Sequence, residues 1–168
     1  MKEYVDFFKE LGQLKLNKRE GWRNLGVLTP ESIADHSLRA AQIGFFIAKK
    51  EGADPYKTAT ILLFHELGEA RIGDLDLLAR KYLIVDEKKA VEDMLPEAEK
   101  NEVLSLWLEC DNKTTKEGII AKDADYIELI LQAKEYSLIG YDTHEHIKNA
   151  RALLVTDTAK KLCEFILQ

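Results

Sequence analysis

Only three prolines and nine glycines interrupt this chain of 168 residues. Long stretches therefore carry no backbone breaker, and no window alternates apolar and polar residues cleanly enough to read as a strand. The pattern predicts an all-α protein. Residues 2–14 form a first helix, with Val5, Phe8, Leu11 and Gly12 on one side at helical spacing. Residues 15–29, with Gly21, Trp22 and Gly26, read as irregular. Thr29 fits an N-cap, Pro30 the first helical position and Glu31 the positive end of the helix dipole, so a second helix is expected from there to about Lys50, stopped by Gly52. Asp54-Pro55 repeats the cap-plus-proline signal and opens a third helix through about Gly68. After Gly73-Asp74 a short segment runs through Arg80, followed by helices over about 86–108, 115–139, 142–151 and 154–167. With no repeat, low-complexity tract or long linker, residues 1–168 read as one domain.

A formal net charge of −6 argues against binding a nucleic-acid polymer, which needs a broad basic surface. Positive charge is nevertheless local: residues 15–23 hold Lys15, Lys18, Arg19 and Arg23 against Glu20, four cations to one anion. A small anionic ligand could use it. Cys110 and Cys163 share no CxxC spacing and read as reduced, buried thiols. The opening Met1-Lys2-Glu3-Tyr4-Val5-Asp6 is too charged for a secretory signal, and no apolar run approaches the roughly 18 residues that cross a bilayer. A cytoplasmic protein with no membrane partner is expected.

Two of the four histidines sit inside apolar helical runs, His36 in Ile33-Ala34-Asp35-His36-Ser37 and His65 in Leu62-Leu63-Phe64-His65-Glu66. Buried imidazoles and carboxylates are costly unless something satisfies them, and a divalent metal does so. On one helix, Glu66 can reach the same point as His65, and Glu69 lies one turn on. Asp123 or Asp125, from the apolar run Ile119–Leu131, could supply a further carboxylate. Mixed nitrogen and oxygen donors suit a borderline first-row metal better than calcium. His144 and His146 are two apart on a polar helix and are expected to face water on different sides.

The chain resembles the HD-domain metal-dependent phosphohydrolases, and within them the 5′-deoxynucleotidase branch. The matching segments are Leu14-Lys15, Arg19-Glu20-Gly21-Trp22, Glu31-Ser32-Ile33-Ala34-Asp35-His36, His65-Glu66-Leu67-Gly68-Glu69 with Gly73-Asp74, and Lys122-Asp123-Ala124-Asp125. The resemblance covers roughly residues 5–135. The resemblance implies an HD-type helical bundle in which His36, His65, Glu66 and Asp125 hold one divalent transition metal (Mn, Co, Zn, Fe or Ni). It implies Glu69 as the catalytic acidic residue, Arg19 and Trp22 in the phosphate-binding segment with Arg23 beside them, and Asp74 in the loop that meets the nucleoside. It also implies a small-molecule nucleotide substrate and a homodimer or higher oligomer, to which the apolar residues of the C-terminal helix could contribute.

The expected reaction is removal of the 5′-phosphate from deoxyribonucleoside 5′-monophosphates. The alternatives are an HD-site hydrolase of another nucleotide or small phosphoester, and a non-catalytic nucleotide-binding module. One departure from the family pattern is the His65-Glu66 pair in place of His-Asp, one methylene longer with the same charge.

Overall fold

The computed structural model describes residues 1–168. Eleven α-helices follow in chain order: α1 (Lys2–Leu11), α2 (Gln13–Leu16), α3 (Glu20–Arg23), α4 (Ile33–Glu51), α5 (Pro55–Phe64), α6 (Glu69–Ile72), α7 (Glu87–Met94), α8 (Lys100–Asn112), α9 (Lys116–Leu138), α10 (His144–Ala152) and α11 (Asp157–Leu167). A single 3₁₀ turn covers Ala79–Lys81. There is no strand, only an isolated antiparallel bridge between Lys18 and Ser32. The fold is all-α, as the scarcity of breakers requires. No helix is long and apolar enough to cross a membrane.

The chain forms two compact units, Met1–Asp35 with Glu66–Ser105, and His36–His65 with Leu106–Gln168. In the second unit α9 is central, and α5, α10 and α11 pack on it. Its inward face carries Ile120, Ala121, Ala124, Ile127, Ile130 and Ala133, all buried. Alternating small and branched side chains let neighbouring helices come close while filling the space between them. Gly44 of α4 marks one such approach: a Cβ there would run into Leu62 Cδ1 and stand 3.3 Å from Thr58 and 3.4 Å from Ala124. The helix starts are capped by side chains. Asp54 accepts from the backbone of Tyr56 and Lys57, Thr115 from Gly118, and Thr156 from Ala159. Cys110 and Cys163 are both buried in this unit's core.

In the first unit α1, α2, α6 and α7 pack together. The buried side chains include Phe7, Leu14, Trp22, Leu67, Val91 and Met94. Arg71 of α6 closes the α1 side with a two-pronged pair to Glu10, at 2.6 and 2.9 Å.

Several expected boundaries move, and the third helix ends at Phe64 instead of about Gly68. The first helix breaks at Gly12, whose N–H turns to Lys9 O, giving α1 and α2 instead of one helix over 2–14. The stretch read as irregular contains α3. The long helix starts at Ser32–Ile33, not at Thr29-Pro30. There Ser32 Oγ accepts from Asp35 N at 3.1 Å while Asp35 Oδ2 accepts from Ser32 N at 2.9 Å, a reciprocal capping box. Backbone bonds from Arg19 N to Glu31 O and from Ile33 N to Asn17 O keep the preceding residues extended. Finally, the run expected over 86–108 divides into α7 and α8, because Pro96 forces Leu95 into an extended conformation with ψ 139°.

Candidate metal centre

Three ligand candidates belong to the second unit. His36 lies in the first turn of α4, His65 directly follows α5, and Asp125 sits in α9. All three are buried, and each offers a donor atom within 4.8 Å of the other two. His36 Nε2 is 3.2 Å from Asp125 Oδ1, and the two imidazole rings are 5.4 Å apart between centroids. Each histidine is fixed through its other nitrogen: His65 Nδ1 bonds Leu62 O at 2.7 Å, and His36 Nδ1 bonds Glu128 Oε2. Burial by itself would raise Asp125. Lys122, 2.8 Å from Oδ2, and the hydrogen bond with His36 overcome that and hold the carboxyl well below its ordinary range. The site therefore keeps an ionised oxygen donor facing two imidazoles.

This donor set fits a first-row divalent ion. Two donors each about 2.1 Å from an ion stand about 3 Å apart when the angle between them is near 90°, close to the His36–Asp125 separation. With Nδ1 of each ring engaged, Nε2 is the nitrogen oriented for a metal.

Glu66 is joined to His65 by one peptide bond and belongs to the first unit. There its Oε1 meets Arg19 Nη1 at 3.1 Å, with both side chains about 85% covered. Glu69 is 2% exposed, and its Oε2 has no hydrogen-bond partner. Desolvation, followed by repulsion from Glu66 and Asp74, pushes its pKa up to about 9, against a smaller pull from Arg19. The geometry behind this differs from the sequence expectation. The helix ends at Phe64, and Glu69 N bonds Glu66 O in a three-residue turn. Glu69 therefore stacks on Glu66 at i+3 and not on His65 at i+4 along an α-helix.

The remaining residues have definite places in the first unit. Trp22 is buried and donates its indole N–H to Glu31 at 3.0 Å. Asp74 accepts from the backbone N of Glu20 at 2.7 Å and so holds the start of α3. Arg23 is half exposed and pairs with Glu20 at 3.2 Å.

In the second unit the two aspartates of α9 separate cleanly. Asp123 accepts from Val155 N, Thr156 N and Thr156 Oγ at 2.9, 2.7 and 2.6 Å, anchoring the start of α11. Only Asp125 faces the histidines. His144 is exposed on α10 and His146 half-buried. Sequence reasoning missed Glu128, which is completely buried one turn after Asp125. The signal was present as two i,i+3 pairs, His36 with Arg39 and Asp125 with Glu128, each placing two polar groups on one helical face.

Buried histidines and an aspartate converging from separate helices are the hallmark of a helical metal-dependent hydrolase. Residues 11–164 match the HD domain family, and the chain belongs to it. Among its relatives is the 5′-deoxynucleotidase HDDC2 of Dictyostelium discoideum, 36% identical over 88% of this chain and 85% of that one. The human 5′-deoxynucleotidase HDDC2 is 31% identical over 79% of this chain and 67% of its own length. Among solved structures, a conserved hypothetical protein of Pyrococcus furiosus superposes with a TM-score of 0.83 at 35% identity, covering 97% of this chain and 98% of that one.

Proposed function

We propose that this chain is a metal-dependent phosphohydrolase that removes the 5′-phosphate from deoxyribonucleoside 5′-monophosphates, with residues 1–168 acting as a single HD domain. The observation that carries this reading is the convergence of His36, His65 and Asp125 within 4.8 Å in a chain of this family. The relatives named as 5′-deoxynucleotidases support the substrate class. Glu66 completes the ligand set as the carboxylate next in the chain after His65.

Hydrolysing a phosphate monoester means lowering the barrier by well over ~15 kcal/mol, mostly through positioning and charge stabilisation. A divalent ion bound by His36, His65, Glu66 and Asp125 would act as a Lewis acid toward the phosphate and lower the pKa of a water. Arg19 binds phosphate oxygens through its planar guanidinium, held in place by its pair with Glu66. Glu69 moves the proton, either from the attacking water or to the departing 5′-oxygen; its burial and its missing hydrogen-bond partner suit a group whose partner is the substrate. Trp22 serves beside Arg19 in the phosphate-binding segment and Asp74 in the loop that meets the nucleoside, fixed by Glu31 and by the backbone of Glu20 respectively. Arg23 extends the positive charge of that segment.

The cytoplasm is the proposed location, on the basis of the cysteine usage and the nucleotide substrate. A homodimer or higher oligomer is the proposed assembly, supported by apolar side chains left on the surface, among them Phe46 and Phe165. Sedimentation of the purified protein tests the assembly. The function is tested by metal analysis followed by phosphate release from a panel of deoxyribo- and ribonucleotides with added Mn²⁺, Co²⁺ or Zn²⁺. Metal-dependent release confined to deoxyribonucleoside 5′-monophosphates is expected. Bound metal without turnover would leave a nucleotide-binding module, and equal turnover of ribonucleotides would remove the narrow substrate class.

A further inference from the structure

We propose that Glu128, clamped by Arg39, is a positioning residue that sets the orientation of His36 for metal binding. The inference rests on the metal-site reading above and goes beyond its ligands. Glu128 is completely buried in α9, and its two oxygens have different tasks. Oε2 bonds His36 Nδ1, while Oε1 accepts from Arg39 Nε at 2.8 Å and lies 2.6 Å from Arg39 Nη2. The guanidinium is itself fixed along one stripe of α9, donating Nη2 to Gln132 at 2.7 Å and Nη1 to Glu135 at 2.8 Å. Glu128, Gln132 and Glu135 follow at i, i+4 and i+7, so one helical face immobilises the whole group.

A buried carboxylate is poor value for stability alone, since well-packed apolar residues often serve as well as a buried ion pair. Here its position has a use. With Glu128 Oε2 on Nδ1, the ring is held with Nε2 directed toward Asp125 Oδ1, 3.2 Å away. A ligating histidine held by a carboxylate in this way is a stronger and better aimed donor. Arg39 engages the other oxygen from two nitrogens, so the carboxylate cannot turn away from His36.

The test is a Co²⁺ titration of the full chain, read by calorimetry and by the cobalt absorption bands, with folding followed by circular dichroism. Loss of such an outer partner typically weakens metal binding about 10–100-fold. Glu128→Gln keeps the size but loses the charge, and should weaken Co²⁺ affinity by that factor and shift the bands. Glu128→Asp restores the charge and should recover part of the loss. A change in affinity smaller than about fivefold in folded Glu128→Gln, with unaltered bands, overturns the proposal. Should Glu128→Gln fail to fold, Arg39→Gln, at a partly exposed position, is judged by the same threshold. A parent protein that binds no metal would instead defeat the functional reading itself.

Discussion

Asp123 and Asp125 stand two residues apart on α9 and should respond to substitution in opposite ways. Two residues turn a helix by about 200°, which sends the carboxylates to different faces. Asp123 accepts three hydrogen bonds from Val155 and Thr156, and hydrogen bonds to a charged group contribute about 1.5–3 kcal/mol each. The three are not additive, and Val155 is half exposed, so water can reach part of what is lost. Asp123→Ala should therefore cost about 3 kcal/mol, a fall of about 6–12 °C in Tm for a chain of this size. Its metal affinity should be retained. Asp125→Ala removes the proposed ligand next to His36 and should abolish binding. Thermal denaturation with and without Mn²⁺ at about 100 times the Kd separates the two, because binding to the native state alone adds about 2.7 kcal/mol. The parent and Asp123→Ala should both gain that stabilisation, and Asp125→Ala none. If Asp123→Ala loses the metal-dependent shift while Asp125→Ala keeps it, the assignment of the α9 face is wrong.

Glu69→Ala should leave bound metal in place and remove turnover, checked by metal content and phosphate release; loss of both would refute its proton-transfer role. Glu66→Asp should hold or raise the turnover number, because it restores the shorter carboxylate of the family pattern. In metal-free protein, native Glu69 holds a proton that the unfolded chain releases near its ordinary pKa, so the native state binds more protons and its stability falls as pH rises from about 4.5 to about 9. Glu69→Gln should flatten that decline in a series of Tm measurements, and parallel curves would contradict the raised pKa. Gly44→Ala gains helix propensity worth up to about 1 kcal/mol, yet its Cβ meets Leu62, Thr58 and Ala124, and overpacking costs about 1–3 kcal/mol. A lower Tm and weaker metal binding are expected, and a higher Tm would show that Leu62 yields without cost.

Local chemistry was legible in the sequence where it was complete in itself. Asp54-Pro55 contains both the cap and the proline, and α5 begins there. His36, His65 and the pair Asp123 and Asp125 could be picked out because each interrupts an apolar run that has to be buried, and the family resemblance chose Asp125 of the two. Illegible features were those decided by a distant partner. Thr29-Pro30 and Ser32–Asp35 both read as helix starts, and the choice is made by backbone bonds to Asn17 and Arg19. The partners that fix Asp74 and Trp22, the backbone of Glu20 and the carboxylate of Glu31, could not be foreseen from spacing alone. Glu128 lies in the same apolar run as Asp125, and only its place opposite α4 shows that His36 and Arg39 share it.

The polar chemistry of the second unit follows from the register of α9. Lys122, Asp125 and Glu128 succeed one another at intervals of three, a spacing that keeps them on neighbouring lines of one helical face. Lys122 holds Asp125 ionised, Asp125 faces His36 Nε2, and Glu128 takes His36 Nδ1. One imidazole is thus gripped through both nitrogens by carboxylates a single turn apart. On α4 the same interval separates His36 from Arg39, so each polar pair on one helix meets a polar pair on the other. Gly44, with no side chain, and Ala124 let these helices approach, while Ile120, Ile127 and Ile130 are buried in the same core. Core packing and ligand placement are therefore fixed by the same helical periodicity, and a slip in the register of α9 would cost the site its donors and the core its fit together.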